Sequence, residues 1–169
     1  MKILTKSILL LIALFMLTGC PYQSAVPVGD PEQKLMKSLL GKWQKGEEDN
    51  NFYVVDKLGK YQYQIEESIF NNELQDFEKA YYQGHITEVK GEKFLSIINQ
   101  TLDENAGQNY FSIYKLEINS DSEFVLFPVS NYIRENFDES TMLKEFIAQN
   151  MHLSFFFGEE ETYRKISNP

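Results

Sequence analysis

Between Lys42 and Phe127 the chain alternates apolar and polar residues in short runs, each closed by turn-forming residues. In the cleanest run Tyr61, Tyr63 and Ile65 alternate with Gln62, Gln64 and Glu66. A period of two belongs to a strand with one face on a core and the other in water. Phe52–Val55 leads through Lys57-Leu58-Gly59-Lys60 into this run, which reads as a hairpin. Phe77–Val89 turns through Lys90-Gly91-Glu92 into Lys93–Gln100, and Asn109–Ile118 turns through Asn119-Ser120-Asp121-Ser122 into Glu123–Phe127. A short run at Lys42–Gly46 precedes these, and His152–Phe157 and Glu161–Ile166 form a final pair about Gly158. Connections this short suit only antiparallel neighbours. The expected fold is therefore mainly β, an antiparallel up-and-down meander that closes as a small barrel or curves into a half-barrel.

Helical signals are fewer. Asp30-Pro31-Glu32-Gln33 has the order of an N-cap, a proline at the first helical position and a glutamine at the third. It predicts a short N-terminal helix carrying Leu35, Met36, Leu39 and Leu40, ended by Gly41. Ser130 is placed to cap a second piece over 131–137. Ser140 or Thr141 is placed to cap a better helix through Asn150, with an apolar stripe of Leu143, Phe146, Ile147 and Met151.

Thirteen Phe, ten Tyr and one Trp in 169 residues favour sheet and supply a core without disulfides. The formal charge of −9 repels phosphate backbones and anionic headgroups, so the chain reads as no nucleic-acid binder.

The N-terminus has its own pattern. Lys2 and Lys6 flank an uninterrupted apolar stretch, Ile8–Met16. As a helix it would span about 15 Å, half of a bilayer core of about 30 Å, so it has the proportions of a secretory signal. It ends in Leu17-Thr18-Gly19-Cys20, which holds the one cysteine of the chain. This stretch resembles the lipobox of bacterial lipoproteins. The resemblance implies that residues 1–19 are a signal peptide removed before Cys20, that the Cys20 thiol carries diacylglycerol, and that the protein is held on the extracytoplasmic side of a membrane of the bacterial envelope. Two acyl chains suffice for stable anchoring. With no second cysteine there is no intrachain disulfide, and no neighbouring histidine would activate a catalytic thiol. Residues 20–29, with two prolines and little periodicity, then read as a tether, and 30–169 as a single β-rich domain.

Gly41-Lys42-Trp43, on a first strand just after a short helix, is similar to the opening of lipocalins and lipocalin-like domains. That resemblance implies a barrel whose closed end is plugged by Trp43, with Arg164 of the last strand packed over the indole. Read without it, Trp43 is a core aromatic at a strand start.

Signals for catalysis are lacking in the sequence. His85 and His152 have no partner at a metal-ligand spacing, and Asp121 with Glu123 falls short of a calcium loop. There is no nucleophile motif, and the acidic clusters, Glu66-Glu67 and Glu159-Glu160-Glu161 among them, fall where solvation at strand ends accounts for them. The expectation is a binding protein rather than an enzyme, with no cofactor. Tyr53, Tyr61, Tyr63, Tyr110 and Tyr114 lie on expected strands. Facing inward they would give a cavity apolar walls with polar tips, suited to a small apolar or amphiphilic ligand. The alternative is a filled core and a protein-interaction or structural module of the envelope, an inhibitor or assembly factor.

Overall fold

The computed structural model describes residues 22–46, 51–101 and 110–166; Cys20 and the signal-like stretch lie outside them. The elements in order are β1 (Gln23–Ser24), β2 (Gly41–Lys45), β3 (Phe52–Leu58), β4 (Gln62–Asn71), β5 (Asp76–Val89), β6 (Glu92–Asn99), β7 (Phe111–Ser120), β8 (Glu123–Pro128), α1 (Ser140–Asn150) and β9 (Glu161–Lys165). From β2 to β9 each strand pairs antiparallel with the next in sequence, and β9 returns to pair with β2. Eight strands thus close an up-and-down barrel of the lipocalin-like kind, which leaves it no free edge. β1 lies outside this ring and continues the β8 side of β7, with Gln23 opposite Ser112 and Ser24 opposite Phe111.

Local chemistry sets the hairpins. The β5–β6 loop is two residues, Lys90 (φ 49°) and Gly91 (φ 85°), both in the left-handed region that matches the twist of the flanking strands. Closure between β2 and β9 joins residues 118 to 122 apart, with Trp43 opposite Lys165 and Lys45 opposite Tyr163.

Two apolar cores result, one on each side of the barrel wall. On β6 the inward residues are Leu95 and Ile97 and the outward ones Phe94 and Ser96, so this strand is covered on both faces. The inner core gathers Leu39, Trp43, Tyr63, Ile86, Leu95, Leu116, Phe124, Leu126 and Tyr163. The outer core lies between the wall and α1, where Val89, Phe94 and Ile113 meet Leu143 and Ile147 of the helix, with Phe156 and Val28 beside them. Burial of side chains this size contributes roughly 1.5–3 kcal/mol each.

Several expected elements take another form. The N-terminal helix is reduced to one 3-10 turn, Lys37–Leu39. Its upstream amides bond the barrel instead, Leu35 N–H to Lys60 O (3.4 Å) and Met36 N–H to the Tyr63 hydroxyl (2.8 Å). Residues 131–137 form no helix; α1 forms over the expected span with Leu143 and Ile147 inward, but its N-cap is Glu139, not Ser140 or Thr141. The run expected as a strand over His152–Phe157 is a series of turns, with a single bridge from Phe157 to Val129, because β9 already occupies the edge of β8.

The stretch expected as a tether is packed from Tyr22 onward. Tyr22 is buried and its hydroxyl donates to Glu135 O (2.9 Å), while Val28 is wholly buried and its amide donates to Ser96 Oγ (3.1 Å). Buried His85 donates through Nε2 to Gly29 O (2.6 Å), which fixes its tautomer and a structural role. A side chain at Gly29 would press on Thr87, whose methyl lies 3.0 Å from where a Cβ would sit. Residues 22–30 are thus a strap on the outer wall. All eight barrel strands and both cores fall within 22–166.

Candidate functional site

The barrel interior is not filled. A cavity of about 410 Å³ runs along the inner faces of the strands, within the size range of small-molecule sites. Its lower wall is apolar, formed by Leu39, Val55, Ile65, Leu95, Ile97, Leu116, Phe124 and Leu126. Higher up the wall is polar, where Tyr53, Tyr82, Tyr114 and Tyr163 surround Glu67 and Glu161, with Lys45, Asn99 and Ser112 nearby; Tyr110, 45% exposed, and Gln23 stand at the rim.

Register explains this layering. On β4 the inward residues are Tyr63, Ile65 and Glu67, so each step of two moves from floor to carboxylate. Across the strands Glu67 faces Tyr53, Ile65 faces Tyr82, and Lys45 faces Tyr163. The Tyr53 hydroxyl donates to Glu67 Oε1 at 2.9 Å and that of Tyr82 to Oε2 at 2.6 Å. Tyr163 donates to Glu161 Oε2 at 3.0 Å, and Lys45 Nζ lies 2.8 Å from Glu161 Oε1. Glu67 has no Lys or Arg within ion-pair distance among the described residues. Tyr53 and Tyr163 also meet edge to face at 5.3 Å.

These surroundings hold the phenols of Tyr82, Tyr114 and Tyr163 protonated. Burial, and then the charge on Glu161, push Tyr114 up to about 12. Burial followed by the Glu161 charge raises Tyr163 further, and burial together with the hydrogen bond to Glu67 raises Tyr82. Near neutral pH the upper wall therefore presents phenol donors and carboxylate acceptors in a negative field.

Four of the expected lining tyrosines, Tyr53, Tyr63, Tyr110 and Tyr114, do line the cavity. Tyr61 does not: it sits in the turn before β4, with Lys60 Nζ 4.7 Å from its ring centre. Tyr82 lines it as well, and Tyr163, Glu67, Glu161 and Lys45, which were not expected there, complete the wall. The signal for Glu67 was present, because it continues the parity of Tyr63 and Ile65. The pair Glu66-Glu67 is split by the strand: Glu66 turns outward to Lys79 (2.7 Å) and Glu67 turns in.

The closed end holds Trp43, 1% exposed, whose indole N–H donates to Leu39 O (2.9 Å) and whose ring meets Phe124 edge-on at 4.6 Å. The cation over the indole is Lys165, with Nζ 4.9 Å from the ring, and not Arg164. Trp43 is the register partner of Lys165, so these two share a face and Arg164 points outward, Nε 3.1 Å from Glu123 Oε2. Hydrogen bonds from Asn119 and then Arg164 hold the Glu123 carboxyl below its usual range. Gly41 (φ 130°) makes room for the lysine, since a Cβ there would lie 3.0 Å from Lys165 Cε. The lysine stem crosses the glycine and its ammonium reaches Ser38 O (3.0 Å), closing the 3-10 turn over the barrel end.

Among the described residues no three His, Cys, Asp or Glu side chains converge as a metal site, and no helix is long and apolar enough to cross a membrane. Comparison of the chain with protein-family models, curated proteins and solved structures gives no match in any of the three.

Proposed function

We propose that this chain is a bacterial envelope lipoprotein, anchored through lipid on Cys20, whose barrel binds a small apolar or amphiphilic molecule. The observation that supports binding is the cavity of about 410 Å³ with an apolar floor and polar upper wall. Binding in such a site draws on burial of the ligand's apolar body, while a few hydrogen-bonding groups orient it. No catalytic step is proposed: Tyr82 and Tyr163 are held protonated, and the two carboxylates are engaged as acceptors from tyrosines.

Native mass spectrometry of residues 22–169, purified without detergent, tests the reading. A reproducible extra mass is expected, lost in Ile97→Trp, which fills the cavity from its wall while the folded charge-state distribution is retained. A bare chain with a co-purifying protein would favour the interaction module instead, for which Leu74 (66% exposed) and Phe77 (39%) on and beside the β4–β5 hairpin tip offer an apolar surface. For the anchor, Cys20→Ser should abolish incorporation of labelled palmitate; label entering the variant would refute it.

A further inference from the structure

Resting on the reading of the cavity as a small-amphiphile site, we infer that its ligand is cationic, an amine or quaternary ammonium whose apolar body lies on the floor and whose charge sits against Glu67. Among the described residues three charged side chains line the cavity: Lys45, Glu67 and Glu161. Two of them neutralise each other, Lys45 and Glu161 at 2.8 Å. Glu67 is left with one negative charge and two phenol donors, at 2.9 and 2.6 Å. An ionised carboxylate has about four acceptor sites, so it retains capacity towards a ligand.

The surroundings suit a cation and oppose an anion. A positive charge beside Glu67 would lie near Tyr53, Tyr82 and Tyr114, which line the cavity with aromatic rings, a residue type that attracts cations. Because these groups line a cavity rather than the surface, the attraction is screened less than in bulk water. A fatty acid would place its carboxylate against Glu67 or Glu161, and the one lysine in the wall is already engaged. The raised proton affinity of Tyr114 and Tyr163, due in part to Glu161, reports the same negative field.

The test is calorimetric titration of residues 22–169 with three probes sharing an octyl chain: octyltrimethylammonium, octanol and octanoate. The ammonium should bind at least about tenfold tighter than the alcohol, and the carboxylate should bind weakest. Glu67→Gln keeps an oxygen acceptor for the tyrosines. It should bring the ammonium down to the affinity of octanol and leave octanol unchanged. Lys45→Met exposes the charge of Glu161 and should strengthen ammonium binding severalfold, a gain that damage to the fold cannot mimic. If octanol and octanoate match the ammonium, or if Lys45→Met brings no gain, the cation inference falls while the ligand cavity stands. If none of the three probes binds, the cavity reading falls with it.

Discussion

The two cores of this molecule are built on opposite faces of the same strands and are packed to different ends. In the outer core Val28, Phe94 and Ile113 are fully buried, and Leu143, Ile147 and Phe156 are each 1% exposed. In the inner core Leu39, Leu95, Phe124, Leu126 and Tyr163, all of which line the cavity, retain 5–8%, while Trp43 and Ile86, which do not line it, are 1% and 2% exposed. A side chain facing a void lacks contact partners on that side and contributes less dispersion energy. The outer core, closed by the strap and α1, therefore carries a disproportionate share of stability. That frees the interior to keep space for a ligand and to hold charged side chains that a filled core would exclude.

Removal of residues 20–29 is the strongest way to break this division. Deletion exposes the wall under Tyr22 and Val28 and strips His85 and Ser96 of their strap partners. The expected loss is about 5 kcal/mol, comparable to the whole stability of many small domains, read from chemical denaturation. A free tether would cost nothing, so an unchanged midpoint would sink the strap.

A matched pair of leucines sharpens the comparison. Leu143→Ala empties the outer core and should cost about 4 kcal/mol, while Leu126→Ala merely enlarges a cavity already present and should cost about 2 kcal/mol. Equal costs in urea unfolding would mean that the inner wall is as tightly packed as the outer. Leu126→Ala should in addition alter probe binding, and Leu143→Ala should not.

The smallest effect appears only in alkali and belongs to the interior. Tyr114 and Tyr163 bind their protons more tightly when folded than the ordinary phenol value near 10. Their contribution is complete below about pH 10 and is lost as pH rises towards the folded values, about 12 for Tyr114. Ultraviolet titration of phenolate should show a late group of tyrosines whose ionisation accompanies unfolding. Ionisation of all ten tyrosines near pH 10 in a still-folded chain would contradict the buried, carboxylate-facing environment.

Much of the barrel is legible in the sequence because a strand writes its two faces into alternate residues. The β3–β4 and β5–β6 hairpins follow from Gly59, Gly91 and the runs beside them. Barrel closure is different, since β2 and β9 meet across nearly the whole chain and nothing local records that pairing. The strap is illegible for a related reason. Its proline, serine and glycine carry no period, and Val28 is buried only because the outer wall offers it a place. The aromatic run 153–157 misleads in the other direction, because strand propensity cannot act where the neighbouring edge is taken. Lys165 and Glu67 were both within reach of parity: Tyr163 and Tyr63 set the inward phase, and each lies an even number of residues away. Charge suggested solvent for Glu67, and position overruled it.

The strap also fixes a distance. Gln23 is at once the first residue of β1 and part of the cavity rim. Three residues of extended chain reach at most about 11 Å, so lipid attached to Cys20 would hold the mouth of the barrel at the bilayer surface with almost no leash. A ligand that partitions into that surface would then meet the opening by lateral diffusion in two dimensions, without first having to dissolve in the surrounding water.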